Sequence, residues 1–220
     1  VVVTGSDAGG LPNGTVVLID VDLNQDGDYL DLNEGGYTQG TLSGGVATLA
    51  VTPALAEGPN TLRARITDQA GNQGASASVV VVIDTVAPTV ELTAPAYTND
   101  TTPSITVRAI DGNGLPDGTA VWFDVDFNAD GDFSDPGELG QTQATLTAGD
   151  ATFNTVPLAS GAFRVRGRVA DLAGGTGTSA VATMVVDLAA PAVTLSAPSF
   201  TSDVTPDVVI TATDANGLPN

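Results

Sequence analysis

The chain has 220 residues, with 26 acidic side chains against 6 basic ones and a formal net charge of −20. It contains no Cys and no His, which excludes disulfide staples, cysteine nucleophiles, zinc fingers and imidazole acid–base chemistry. The six bases are Arg63, Arg65, Arg108, Arg164, Arg166 and Arg168, so lysine Schiff bases and lysine–asparagine isopeptide links are excluded as well. A surface this acidic repels phosphate backbones and anionic lipid, so no nucleic-acid or membrane-surface partner is expected. No apolar run approaches the ~20 residues a membrane helix needs, so no membrane insertion of this segment is expected. With 42% hydrophobic residues, the chain has ample material for a core.

Internal repetition organises everything else. GLPNGT at Gly10–Thr15 recurs as GLPDGT at Gly114–Thr119, an offset of 104 residues, and begins again as GLPN at 217–220. TQGTL from Thr38 returns as TQATL from Thr142, and IDTVAPTV from Ile83 returns as VDLAAPAV from Val186. DTVAP and DLAAP follow long β-type runs and read as linkers, because proline cannot continue a central strand. Residues 1–86 are then a copy lacking its first strand, 87–189 a complete copy, and 190–220 the opening of a third. Such a pattern is expected of a segment of a longer array.

In the complete copy, period-2 runs bounded by turn residues predict strands at 89–94, 104–110, 119–127, 140–147, 150–156, 162–171 and 178–187. Val121, Phe123, Val125 and Phe127 should share one face of their strand, as should Phe163, Val165, Gly167 and Val169. Seven short strands per copy predict an all-β fold of tandem immunoglobulin-like sandwiches without a cysteine pair.

The xDTxAPxVxLxxP linker, the period of about one hundred residues and the FRVRGRVADLAGG stretch resemble tandem bacterial immunoglobulin-like repeats. Repeats of that family build the stalks of large secreted adhesins and biofilm-matrix proteins. The resemblance implies an extracellular or cell-surface, non-catalytic segment. Its partners would be neighbouring repeats or the next chain in a filament.

Acids are not spread evenly. Residues 20–34 and 124–138 hold six each, 12 of the 26, where halophilic solvation alone would disperse them. Within them DLNQDGDYLDLNE (22–34) and DFNADGDFSDPGE (126–138) match the opening half of an EF-hand-type Ca²⁺ loop. Asp22, Asn24 and Asp26 occupy the first, third and fifth positions, Gly27 the turn, Asp28 the seventh and Tyr29 the eighth. Asp126, Asn128, Asp130, Gly131, Asp132 and Phe133 repeat them. The closing half departs, because the acids fall at Asp31 and Glu34, and at Asp135 and Glu138. Either member of each pair is a candidate to complete the shell. The competing reading is an Asx-rich turn with no ion.

A second group comprises Asp84, Asp111 and Asp171, which an immunoglobulin-like topology would bring to one pole as a possible interdomain cation site; turn capping is the competing reading. Arg63 and Arg65, then Arg164, Arg166 and Arg168, alternate along a strand expected beside Asp20, Asp22, Asp124 and Asp126, so cross-strand ion pairs are expected. An arginine ladder for glycan, and Trp122 as a sugar platform, represent the alternative of an adhesive module that binds carbohydrate or a cell-surface protein. A carboxylate-only hydrolase is disfavoured by repetition, since an enzyme site rarely recurs in every copy of an array. Residues 190–207 match the strand missing before Val1, so a neighbour's segment, covalent or from the next chain, is expected to complete the first sandwich.

Overall fold

A computed structural model describes residues 1–216. The third GLPN, at 217–220, lies outside the described residues. Among the described residues every regular element is a β-strand, and the chain divides into one unit over Val1–Val86 and a second from Ala87 onward.

In the first unit the strands are β1 (Val2–Thr4), β2 (Val16–Asp22), β3 (Thr38–Thr41), β4 (Val46–Thr48), β5 (Gly58–Thr67), β6 (Gln73–Ala75) and β7 (Val79–Ile83). One sheet is β1–β4; the other runs β3–β2–β5, with β6 and β7 both paired to β5. Alternation decides which face is inside. Val17, Ile19 and Val21 of β2 and Leu62 and Ala64 of β5 turn inward onto Val3, Leu42, Ala47 and Leu49. Burying each of the larger side chains contributes about 1.5–3 kcal/mol.

In the second unit the strands are β8 (Thr89–Thr93), β9 (Tyr97–Thr98), β10 (Ser104–Ile110), β11 (Ala120–Asp126), β12 (Thr142–Thr145), β13 (Asp150–Asn154), β14 (Gly161–Ala170), β15 (Thr176–Thr178) and β16 (Ala182–Val186). A β13–β10–β8 sheet packs on a β12–β11–β14–β16–β9 sheet, β15 also pairing with β14. Val121, Phe123 and Val125 of β11 and Val165 and Val169 of β14 meet Ile105, Val107, Met184 and Val186 in one core. Phe123 and Phe153 contact edge to face at 5.7 Å, which helps fix the register of the two layers.

Three details differ from the sequence expectation. Phe127 lies just past the end of β11 at Asp126, at the rim of the core and 44% exposed, with its ring edge to face on Phe163 at 6.2 Å. The expected strand 178–187 shortens to β16, and a separate β15 ends at Thr178 before it. At the break the Gly167 amide donates to the Ser179 hydroxyl (3.0 Å) instead of a backbone carbonyl, so a side chain replaces one ladder bond. Ser76 and Ala64 repeat this at the β6–β7 break. The short β9 pairs parallel to β16, which no periodicity announces.

β17 (Ala192–Ser196) and β18 (Val209–Thr213) pair antiparallel with each other and are exposed throughout. In the first unit, an apolar cleft of about 550 Å³ lined by Val1, Val3, Ile19, Leu62 and Val81 lies beside β1.

Candidate functional site

Each acidic loop is the long connection between two neighbouring strands, β2 to β3 and β11 to β12. Instead of projecting into solvent, it folds back over the outer face of the larger sheet. That return explains why Asp20, Asp22, Asp124 and Asp126, on the nominally polar face, are at most 6% exposed.

Beneath the loop lies an arginine clamp. Asp20 accepts from Arg63 Nε at 2.9 Å, from Arg65 Nε, from Arg65 Nη2 at 2.7 Å and from the Gly36 amide at 2.8 Å. Asp124 repeats this with Arg166 Nε (2.9 Å), Arg168 Nε (2.6 Å), Arg168 Nη2 (3.0 Å) and the Gly140 amide (2.9 Å). Burial pushes both carboxyls up, but the hydrogen bonds from guanidinium and amide outweigh it and hold both below the usual aspartate range. The eighth loop residue then caps the clamp. Tyr29 lies 4.1 Å under Arg63 and Phe133 4.3 Å under Arg166, contacts that tie loop to sheet. Trp122 is 5.8 Å from Arg168, so its ring packs on an arginine.

The loop itself is a ladder of Asx turns. Asn24 Oδ1 accepts from the Asp26 amide, Asp26 Oδ1 from Asp28, and Asp28 Oδ1 from Leu30, at 3.0, 3.0 and 2.8 Å. Asn128, Asp130 and Asp132 build the same ladder onto Ser134. Those amides, with the side-chain partners Asn24 and Ser134, lower the carboxyl pKa of Asp26 and Asp132 and keep both ionised further into acid. Gly27 and Gly131 sit at φ of 91° and 101°, a left-handed conformation that glycine adopts without strain. Their amides donate to Asp22 and Asp126 across the turn, at 3.1 Å in each loop.

A second set of contacts draws acids of each loop together. The Asn24 amide nitrogen donates to Asp26 at 3.0 Å and to Asp31 at 2.6 Å, drawing two acids to one point. Asn128 does the same for Asp130 and Asp135. Among the described residues, no three carboxylates of either loop come within 4.8 Å of one another. Glu34 and Glu138, the other closing candidates, are 1% and 2% exposed. Glu34 accepts from Leu23 at 2.9 Å and Asp31 at 3.4 Å, and Glu138 from Phe127 at 3.2 Å and Asp135 at 3.3 Å. They strap the end of each loop to its beginning. Periodicity gives no signal for that strap, because it is a contact to backbone across eleven residues.

Within the two loops, one buried oxygen is left over. Asp22 Oδ1 is buried with no hydrogen-bond partner, which costs on the order of 1–3 kcal/mol or more for a charged group unless something positive meets it. The loop side chains offer hard carboxylate and amide oxygens, the donor class that suits Ca²⁺ rather than a soft metal.

Of the second group, Asp111 and Asp171 belong to the second unit and bring carboxylate oxygens within 4.8 Å of each other. Asp171 accepts from the Ala173 and Gly175 amides, and Asp111 from the Asn113 amide. Asp84 belongs to the first unit, where it accepts from the Val86 amide at 3.3 Å. All three cap local turns within their own units, while Asp111 Oδ2 is buried with no hydrogen-bond partner.

Residues 14–85 match the model of a family described as bacterial Ig-like domain. No curated protein matches the chain. Among solved structures, the chain is similar to a tetra-tandem repeat in the extending region of a large adhesion protein, at 18% identity and TM-score 0.43 over 96% of this chain and 57% of that one. It therefore spans little more than half of that structure. It is also similar to the fibronectin(III)-like modules of Clostridium thermocellum CbhA, at 20% identity and TM-score 0.43 over 84% of each chain. A third is a 1.5-MDa bacterial ice-binding adhesin, at 15% identity and TM-score 0.41 over 94% of this chain and 74% of that one.

Proposed function

We propose that this chain is a non-catalytic, calcium-stiffened segment of an extended extracellular or cell-surface protein of the adhesin kind. The observation that carries the proposal is the buried, partnerless Asp22 oxygen in a loop where Asp26 and Asp31 both accept from a single amide. Recurrence of the same loop at the same place in the second unit supports a structural role, since each repeat of a stalk needs its own ion.

Asp22, Asn24, Asp26 and Asp31, with the Asp28 carbonyl, would hold the ion in the first loop. Asp126, Asn128, Asp130, Asp135 and the Asp132 carbonyl would hold it in the second. Glu34 and Glu138 close the loops behind it. Calcium would supply charge neutralisation among acids that otherwise repel. With the loop pinned, Tyr29 and Phe133 stay seated on their arginines and the outer face of each sheet stays covered. The protein's own work is mechanical: it keeps each sandwich stiff.

Isothermal titration of the full chain with Ca²⁺ tests this. Two loop sites should be detected, with dissociation constants of about 10⁻⁴–10⁻³ M as in other extracellular modules. Absence of any binding up to 10 mM (roughly ten times the weaker of those values) would contradict the proposal.

A further inference from the structure

The two loops are near copies, yet they differ at one point of the sheet beneath them. Asp22 stands opposite Thr61 in the β2–β5 register, and Asp126 stands opposite Arg164 in the equivalent β11–β14 register. Arg164 reaches up into its loop. Its Nη1 lies 3.9 Å from Asp126 Oδ2 and 2.8 Å from the place where a Cβ on Gly131 would be. Around Gly27 the same position has nothing within 4 Å.

The first ligand position is consequently used differently in the two units. Asp126 is satisfied without an ion: the Ala129 amide donates to Oδ1 at 2.6 Å, the Gly131 amide to Oδ2 at 3.1 Å, and Arg164 adds a positive charge. Asp22 receives only the Gly27 amide on Oδ2, and its Oδ1 is buried without a partner in a residue 6% exposed.

Building on the calcium reading above, we infer that Arg164 is a built-in competitor for the cation. The first loop is thus the tighter calcium site and the second the weaker. A divalent ion entering the second loop meets a guanidinium already paired with its first ligand; one entering the first loop meets a bare oxygen. A guanidinium beside the first ligand opposes an incoming divalent ion. Arg164 is 41% solvent-exposed on its side chain, so screening trims the effect. A difference of about tenfold in dissociation constant remains. As calcium rises, the first unit is stiffened before the second.

The test uses the full chain in two backgrounds, Asp130→Ala, which leaves the first loop, and Asp26→Ala, which leaves the second. Calorimetric titration with CaCl₂ should give a dissociation constant about tenfold lower for the first loop. Adding Arg164→Thr to the Asp26→Ala chain should bring its value down to that of the first loop. Arg164→Gln should do the same, since it keeps length and removes charge. Adding Thr61→Arg to the Asp130→Ala chain should weaken the first loop about tenfold. This last variant acts in the other unit, so it decides the matter even if an Arg164 variant fails to fold. Equal affinities in the two backgrounds, or no response to either exchange, would overturn the inference while leaving the calcium reading intact. No binding in the unmodified chain would instead remove the calcium reading itself.

Discussion

Asp20 and Asp124 are single side chains on which the attachment of loop to sheet depends. Each is fully buried and shared by two arginines whose side chains keep 21–29% exposure. Removing the carboxylate strands two guanidinium groups, though their access to water softens the cost. Asp124→Ala should therefore destabilise the second unit by about 2–3 kcal/mol in chemical denaturation, with little effect on the first. Acid should act through the same groups. Both pKa values are lowered from 3.8, so the native state resists protonation more than the unfolded chain does. That stability is fully present above the unfolded value of 3.8 and is lost as pH falls through the folded value. Melting temperature should be flat above about pH 5 and fall steeply below about pH 4, and Asp124→Ala should shallow the fall. The alternation of Asp and Arg on neighbouring strands was legible in the sequence. Their burial was not, because it is imposed by a loop returning from far along the chain.

At the scale of the element, the acidic loop was the most legible feature, since D-x-N-x-D-G-D fixes turn geometry locally through Asx bonds and one left-handed glycine. Its closure was less so. Asp31 and Glu34 were equal candidates by spacing, and only packing separates them: Asp31 faces the Asn24 amide, while Glu34 spends both oxygens on backbone. Two predictions follow from that division of labour. Asp130→Ala should abolish the calcium-dependent rise in stability of the second unit only; on the calcium proposal that rise is about 0.4–1.4 kcal/mol at millimolar ion. Glu138→Gln should instead lower stability with calcium or with chelator alike, because the strap acts on backbone amides whether or not an ion is bound. A Glu138→Gln chain whose loss vanished in chelator would reassign that residue to the ion.

At the scale of the whole molecule, the repeat dictated the architecture: hydrophobic alternation at a fixed period gives the same strand pairings in the first two copies. What periodicity could not give was the second unit's finishing detail, the parallel β9 and the side-chain bond that splits β15 from β16. In that unit β8 pairs β10 and buries Val90, whereas beside β1 of the first unit the apolar cleft is open. Placing a copy of residues 88–104 ahead of Val1 should fill that cleft. Two buried aliphatic side chains, less the entropy of ordering the strand, should raise the first unit's melting temperature by roughly 10 °C. The central claim is that calcium is a structural part of each sandwich, and scanning calorimetry of the unmodified chain in 5 mM CaCl₂ (about five times the weaker expected dissociation constant) against chelator tests it most directly. Both unit transitions should shift upward in calcium, by roughly 4–10 °C each. Superimposable melting curves in calcium and in chelator would contradict it.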